Sequence, residues 1–312
     1  MVKILMLKLI CMFLFVAVAA NNSEDSTDFC ADASIFDGNI QMVYVLGGTF
    51  EMGSDEFDFE QPIHTVTVDS FWISKYEITQ TEWQSVMNYN PSYFVGENLP
   101  VESISWYEVI VFCNFLSIRE NLTPVYSKNG NIDPSTWGNI PSTEDVETVD
   151  WINIEVDWNA SGYRLPTEAE WEFAAKGGVK SLGFRYSGSN EINDVVWYTE
   201  NSDHKTQPIG NKKPNELGIY DMGGNVMEWC WDVYSEYSTE HLINPNGQSA
   251  LGAVRFFTDI DLKSTTLYVV LRGGSFLSHD ISCKITSRIM DGRRFNFHCV
   301  GFRLARSSKL PH

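Results

Sequence analysis

Residues 271–288, LRGGSFLSHDISCKITSR, decide how this chain is read. The stretch closes the run Thr266–Leu271, turns at Gly273-Gly274, and then carries Ser278 and Cys283 five residues apart. β-Branched and aromatic residues followed by paired glycines mark a short strand ending in a turn. Either the thiol after that turn does chemistry, or the segment is a scaffold that displays side chains. The displayed set would be Leu277, His279 and Ile281, then Ile289, Met290 and Asp291, then Phe295, Phe297 and His298. It mixes polar contacts with apolar anchors, as a ligand-binding surface requires.

Composition narrows the context. The 312 residues are 43% hydrophobic and 13% aromatic, enough for a sizeable core. The formal charge of -19, from 22 basic and 41 acidic residues, excludes a nucleic-acid reader, which needs clustered Lys and Arg. Residues 1–20, MVKILMLKLICMFLFVAVAA, place two lysines before an apolar run that ends in small residues. That pattern is an export signal, so a secreted, periplasmic or cell-surface protein without a transmembrane segment is expected. A polar linker over 21–38, a domain over 39–308 and a tail over 309–312 complete the expected organisation.

Past the signal, Cys30, Cys113, Cys230, Cys283 and Cys299 are an odd set that no closed disulfide framework uses completely, and no C-x-x-C pair occurs. The six histidines include no H-E-x-x-H, so zinc hydrolysis lacks its ligands. Two strands are expected to meet at Gly47-Gly48, and one further strand is expected within residues 63–79. Thr79 with Glu82, Ser105 with Glu108, and Thr167 with Glu170 each have the spacing of a capping box and predict three helix starts. In the second helix Trp106, Val109, Ile110, Cys113 and Leu116 form one apolar face. The third should stop at Gly177-Gly178. Residues 127–159 read as irregular, and no internal repeat is present.

GGTFEMGS, YEITQTEW, PVESISWYE, YRLPTEAEWEFAAKGG, LGIYDMGGNVMEW, LRGGSF and VGFRLAR occur in this order between residues 47 and 306. Together they resemble the formylglycine-generating enzyme, or sulfatase-modifying factor, family. The resemblance implies a loop-rich, single-domain α+β fold of the C-type-lectin kind. It also implies a calcium site at Asp221, Gly224, Val226 and Glu228, with Gly224 and Val226 contributing carbonyl oxygens, and oxygen clusters of this kind suit a hard cation. A second site would fall near Asn201 and Asp203.

The family's oxidases hold copper(I) and the substrate thiol with two cysteines, and those positions are Ser278 and Cys283 here. A hydroxyl is a poor ligand for a soft cuprous ion, so copper is not expected and the oxidase chemistry is in doubt. Cys299 could approach Cys283 in its place. The family's disulfides would pair Cys113 with Leu304 and Ala175 with Arg288, so neither can form. Residues 277–282, 289–291 and 295–298 depart from the family pattern while Gly273, Gly274, Ser275, Arg288, Arg294 and Arg303 keep it. That interleaving resembles the variable proteins of diversity-generating retroelements that share this fold.

The expected function is therefore an exported protein that binds an unknown protein or small molecule through its C-terminal face. The alternative is a formylglycine-generating or related oxidase with an altered site, acting on an exported sulfatase or another protein through Cys283.

Overall fold

The computed structural model describes residues 40–143, 149–247 and 267–308. The expected signal and linker over 1–38 and the tail over 309–312 lie outside them. The described strands are β1 (Met42–Val45), β2 (Gly48–Met52), β3 (His64–Val68), β4 (Phe71–Ser74), β5 (Tyr126–Ser127), β6 (Glu155–Val156), β7 (Met227–Val233), β8 (Leu242–Ile243), β9 (Tyr268–Arg272), β10 (Arg288–Gly292), β11 (Val300–Gly301) and β12 (Ala305–Ser307). The helices are α1 (Gln80–Met87), α2 (Trp106–Arg119), α3 (Val149–Ile152), α4 (Glu168–Ala175) and α5 (Ile192–Val195). Among the described residues no helix is long and apolar enough to cross a membrane.

All three capping boxes form. Thr79, Ser105 and Thr167 each accept a bond from the backbone N–H three residues on, and the glutamates there accept the cap residue's own N–H. Two orphan donors are thus satisfied at each helix start. The third helix does stop at its glycines: Gly177 and Gly178 adopt φ of 90° and 56°. The second is buried more widely than one face, with Tyr107, Val111, Phe112, Asn114 and Ser117 also enclosed. It runs through the middle of the larger core cluster instead of lying on its surface.

The stretch over residues 63–79 holds two strands where one was expected. β3 pairs with β2 and β8, while β4 pairs with β1 and β12. The chain changes sheets at Asp69-Ser70, where the Asp69 N–H donates to Asn244 and the Ser70 hydroxyl accepts from Gly47 N at 3.0 Å. A Cβ on Gly47 would lie 2.5 Å from the Val68 carbonyl oxygen, so the crossing admits only glycine.

The central sheet has the order β10-β9-β7-β11. Against it stands α4, whose three glutamates each take an arginine from a different part of the chain. Glu168 holds Arg288 through two bonds of 2.7 Å, Glu170 holds Arg164 at 2.6 and 2.7 Å, and Glu172 pairs with Arg272. Glu228 on β7 holds Arg303 through two further bonds of 2.7 Å. All four arginines are buried. Bidentate geometry offsets the desolvation of such pairs, and removing one partner strands the other charge.

Candidate functional site

The turn after β9 fixes the start of the site. Gly273 and Gly274 take φ of 89° and 70°, and a Cβ on Gly274 would stand 2.8 Å from the Cys283 sulfur. Ser278 serves this turn: its Oγ accepts the Ser275 N–H at 2.9 Å, and its carbonyl accepts from Thr199 N at 3.1 Å. Cys283 ends a short 3-10 turn, Asp280–Cys283, and its side chain is 1% exposed among Tyr186, Val195, Val196 and Tyr198. Burial pushes its thiol up to about 12, with the Asp280 charge adding and the Gly224 N–H opposing. A thiol so held is neither nucleophile nor ready metal ligand at neutral pH.

No disulfide joins Cys113, Cys230, Cys283 or Cys299. Cys299 belongs to the larger core cluster and Cys283 to a separate one, so the two are not brought together. The residues present therefore do not fit a two-thiolate copper site.

The nine candidate ligand residues are distributed rather than pooled. Leu277 and Ile289 are half-buried against the larger cluster. On edge strand β10, Ile289 and Asp291 stand opposite Leu271 and Val269, whereas Met290 stands opposite Val270, which belongs to the other cluster. The period-2 alternation of a strand thus sends Met290 to the opposite face of the sheet. His279 is exposed before the 3-10 turn and Ile281 within it is 40% exposed.

Phe295 and Phe297 stack at 6.0 Å, and Phe297 is 42% exposed. The Phe297 carbonyl accepts the Ser103 and Val300 N–H groups, which pins its backbone. His298 lies among Tyr93, Phe94 and Phe276, with centroids at 5.5, 6.2 and 5.9 Å. Behind it Glu102 is fully buried and accepts from Phe94 N and the Ser103 hydroxyl. Burial raises that carboxyl, opposed by these donors and by His298.

Sequence reading missed the loop after α1. Tyr93 there is 68% exposed and extends the apolar surface around His298, and Val95 two residues on is 80% exposed. The cue was present in SYFVG, residues 92–96, an aromatic run in an otherwise polar loop.

The candidate calcium residues surround a buried acidic centre. Asp221 accepts the Gly210 N–H at 2.7 Å through one oxygen, and its other oxygen is buried without a hydrogen-bond partner. Burial pushes the carboxyl up to about 6. Gly224 takes φ of 78°, where a Cβ would meet the Trp197 carbonyl oxygen. Val226 donates its N–H to Glu77, another buried carboxyl pushed well up by burial and by the Asp221 and Glu228 charges.

Glu228 is already engaged by Arg303 and by the Trp171 indole N–H at 2.6 Å. Three carboxyls thus face one guanidinium. The free oxygen of Asp221 fits a hard cation, whereas Glu228 would have to share its oxygens. Among the described residues no three or more His, Cys, Asp and Glu side chains converge as a metal cluster by themselves. Asn201 spends its side chain within its own loop, accepting from Tyr198 N and donating to Val196 O.

A loop-rich α+β domain with an arginine–glutamate core, a GGS turn and a displayed C-terminal segment defines a class, that of the sulfatase-modifying factors and their relatives. The FGE-sulfatase family model, described as the sulfatase-modifying factor enzyme 1-like domain, matches residues 37–308, and the chain belongs to this family.

Chaperone protein LppX of Paenibacillus barcinonensis is 41% identical over 244 residues, 73% of this chain and 82% of that protein. The formylglycine-generating enzyme of Streptomyces coelicolor is 32% identical over 183 residues, and the match spans 50% of this chain and about half, 53%, of the enzyme. Among solved structures, Treponema denticola variable protein 1 superposes with a TM-score of 0.73 and 35% identity, covering 85% of this chain and 94% of that one.

Proposed function

We propose that this is an exported binding protein of the family, one that holds a polypeptide segment on its C-terminal face and does not oxidise cysteine. The observation that carries this reading is the contrast within the site. Cys283 is sealed in an apolar cluster beside a serine already bonded to the turn, while Tyr93, Val95, Ile281 and Phe297 stand exposed. Exposed aromatic and aliphatic side chains on a pinned backbone are suited to burying a partner's apolar side chains. The name of the 41% identical relative, a chaperone, and that of the Treponema variable protein agree with binding rather than turnover. Export rests on the pattern of residues 1–20.

The test is a holding assay with a reduced, unfolded protein as client. Wild type should suppress its aggregation at near-equimolar ratio, and Tyr93→Ala/Ile281→Ala/Phe297→Ala should lose that capacity while remaining folded. Formylglycine formed on a cysteine-containing sulfatase peptide by the wild-type protein with copper and oxygen would replace this reading with the oxidase one.

Calcium is part of the proposal. Asp221, the carbonyls of Gly224 and Val226, and Glu228 would hold it, and its charge would neutralise the surplus of buried carboxylates. A ligand that binds only the folded state raises its stability by mass action. Chelation should therefore lower Tm in wild type but not in Asp221→Ala, and an identical Tm with and without chelator in wild type would remove calcium from the account.

A further inference from the structure

A buried carboxylate lies where the loop carrying Tyr93 meets the segment carrying Phe297. Glu102 is 0% exposed and uses its two oxygens locally: one accepts the Phe94 N–H at 2.8 Å, the other the Ser103 hydroxyl at 2.7 Å. Its own N–H donates to Ser92 Oγ at 3.2 Å. Ser103 reaches the other way, its N–H donating to the Phe297 carbonyl at 3.1 Å. It does so at φ of 61°, a left-handed conformation that a serine keeps only where its surroundings impose it. Residues 102 and 103 thus clasp the backbone at 92–94 to the backbone at Phe297.

Each element around the clasp brings a different group. Loop 92–94 brings backbone N–H groups and the Tyr93 phenol, the turn at 275–278 brings the Phe276 ring, and the C-terminal segment brings His298, half-buried among those rings. Glu168, Glu172 and Glu228 each meet a guanidinium, whereas the charge that acts on Glu102 is that of His298. A guanidinium is charged at every working pH, but an imidazole ordinarily changes charge between about pH 5 and pH 8.

One proton therefore decides the electrostatics of the pair. Without it the clasp encloses an anion that no cation answers, which is costly away from water. With it, either His298 is charged and pairs with Glu102, or Glu102 is neutral. Both placements favour the closed clasp over an arrangement in which the loop swings away and water reaches the carboxylate. Burial raises the Glu102 carboxyl, opposed by the Ser103 hydroxyl, the Phe94 and Tyr93 N–H groups and His298. A proton held more tightly by the closed form than by the open one closes the clasp as pH falls and releases it as pH rises.

We propose that Glu102 and His298 form a proton-operated clasp between the Tyr93 loop and the Phe297 segment, one that regulates the binding surface by closing it in mild acid and loosening it in mild alkali. The use of the clasp in holding a polypeptide rests on the function proposed above, whereas its opening and closing do not.

Hydrogen-exchange mass spectrometry on the full chain at pH 6 and pH 8.5, corrected for the intrinsic effect of pH on exchange, tests this. In wild type the peptides that contain Phe94 and Ser103 should exchange about tenfold faster at the higher pH, while the peptide of α2 stays unchanged. Glu102→Gln is neutral at every pH and still accepts the Phe94 N–H, so it should keep both peptides protected at both values. His298→Gln should move the change to lower pH, because the carboxyl alone is left to take the proton, and it reports on the clasp even if Glu102→Gln fails to fold. In the client assay wild type should hold less at pH 8.5 than at pH 6, and Glu102→Gln should hold equally at both. Exchange in wild type that is independent of pH, faster exchange at pH 6, or a pH response that survives in Glu102→Gln would overturn the proposal. Exchange that responds as expected in a protein that holds no client at either pH would support the clasp and remove the polypeptide reading instead.

Discussion

Two regions built from interleaved residues behave in opposite ways. In the framework around α4, every charged side chain is spent on another: Glu168 on Arg288, Glu170 on Arg164, Glu172 on Arg272. Within residues 277–298 and the loop at 92–95, the side chains that protrude are largely unspent. Phe297, Ile281 and Tyr93 leave 40% or more of their surface in water. Saturated groups hold shape and unsaturated ones meet partners. Ser278 and Cys283, at the positions where the resemblance puts catalytic cysteines, have gone over to the saturated side.

The sharpest attempt to break this contrast is to open one framework pair. Glu172→Ala would leave the buried Arg272 without its nearest carboxylate, costing about 3–5 kcal/mol. In a domain of this size that lowers Tm by roughly 6–20 °C, readable by calorimetry. A comparable effect, but one that depends on pH, is expected at Asp232, whose carboxyl burial pushes up to about 8, with the Glu168 charge adding and the Glu168 N–H opposing.

An unfolded aspartate releases its proton near pH 4, so the folded state retains a proton that the unfolded state has lost between these values. Its stabilising contribution is complete below about pH 4 and disappears as pH rises to about 8. Asp232→Asn keeps an acceptor for Glu168 N, which now donates to Asp232 at 2.7 Å, and removes the titration. The variant's Tm should therefore gain on wild type steadily between pH 5 and pH 8.5.

A smaller effect is expected at Cys283. Cys283→Ala should cost about 1 kcal/mol, and iodoacetamide should label Cys283 in native protein at least 100-fold more slowly than in denaturant. Rapid native labelling would return the thiol to the reactive side of the comparison. The least effect on stability belongs to the face: Tyr93→Ala/Ile281→Ala/Phe297→Ala should shift unfolding by less than about 1.5 kcal/mol. The same variant should lose client holding at least tenfold, which separates the two regions by experiment.

What could be read from the residues divides along the same line. Capping boxes are local, three residues from cap to glutamate, and so all three helix starts were legible. The arginines and glutamates were visible as letters, yet their partners are 6 to 120 residues away, and nothing in the spacing assigns Glu172 to Arg272 rather than to Arg288. The division of residues 63–79 into two strands depends on Asn244, which lies 175 residues beyond Asp69. On the face, the apolar letters of 277–298 were legible, but their partition was not. Met290 parts from Ile289 because strand side chains alternate, and the register of β10 on β9 decides which of the two faces the larger cluster.

That register carries a rule for anyone who would redesign the segment. Arg288 is tied to Glu168 at one end of β10, and at the other the Arg293 N–H donates to the Leu267 carbonyl. Between two fixed moorings, the alphabet is open but the count is closed. Exchanging exposed letters leaves the ladder intact, whereas adding or deleting one residue would turn each following side chain of the strand to the opposite face. A library that varies identity at constant length, at positions such as Ile281 and Phe297, will yield folded molecules with new surfaces. One that varies length within β10 will yield chains that must choose between their salt bridges and their sheet.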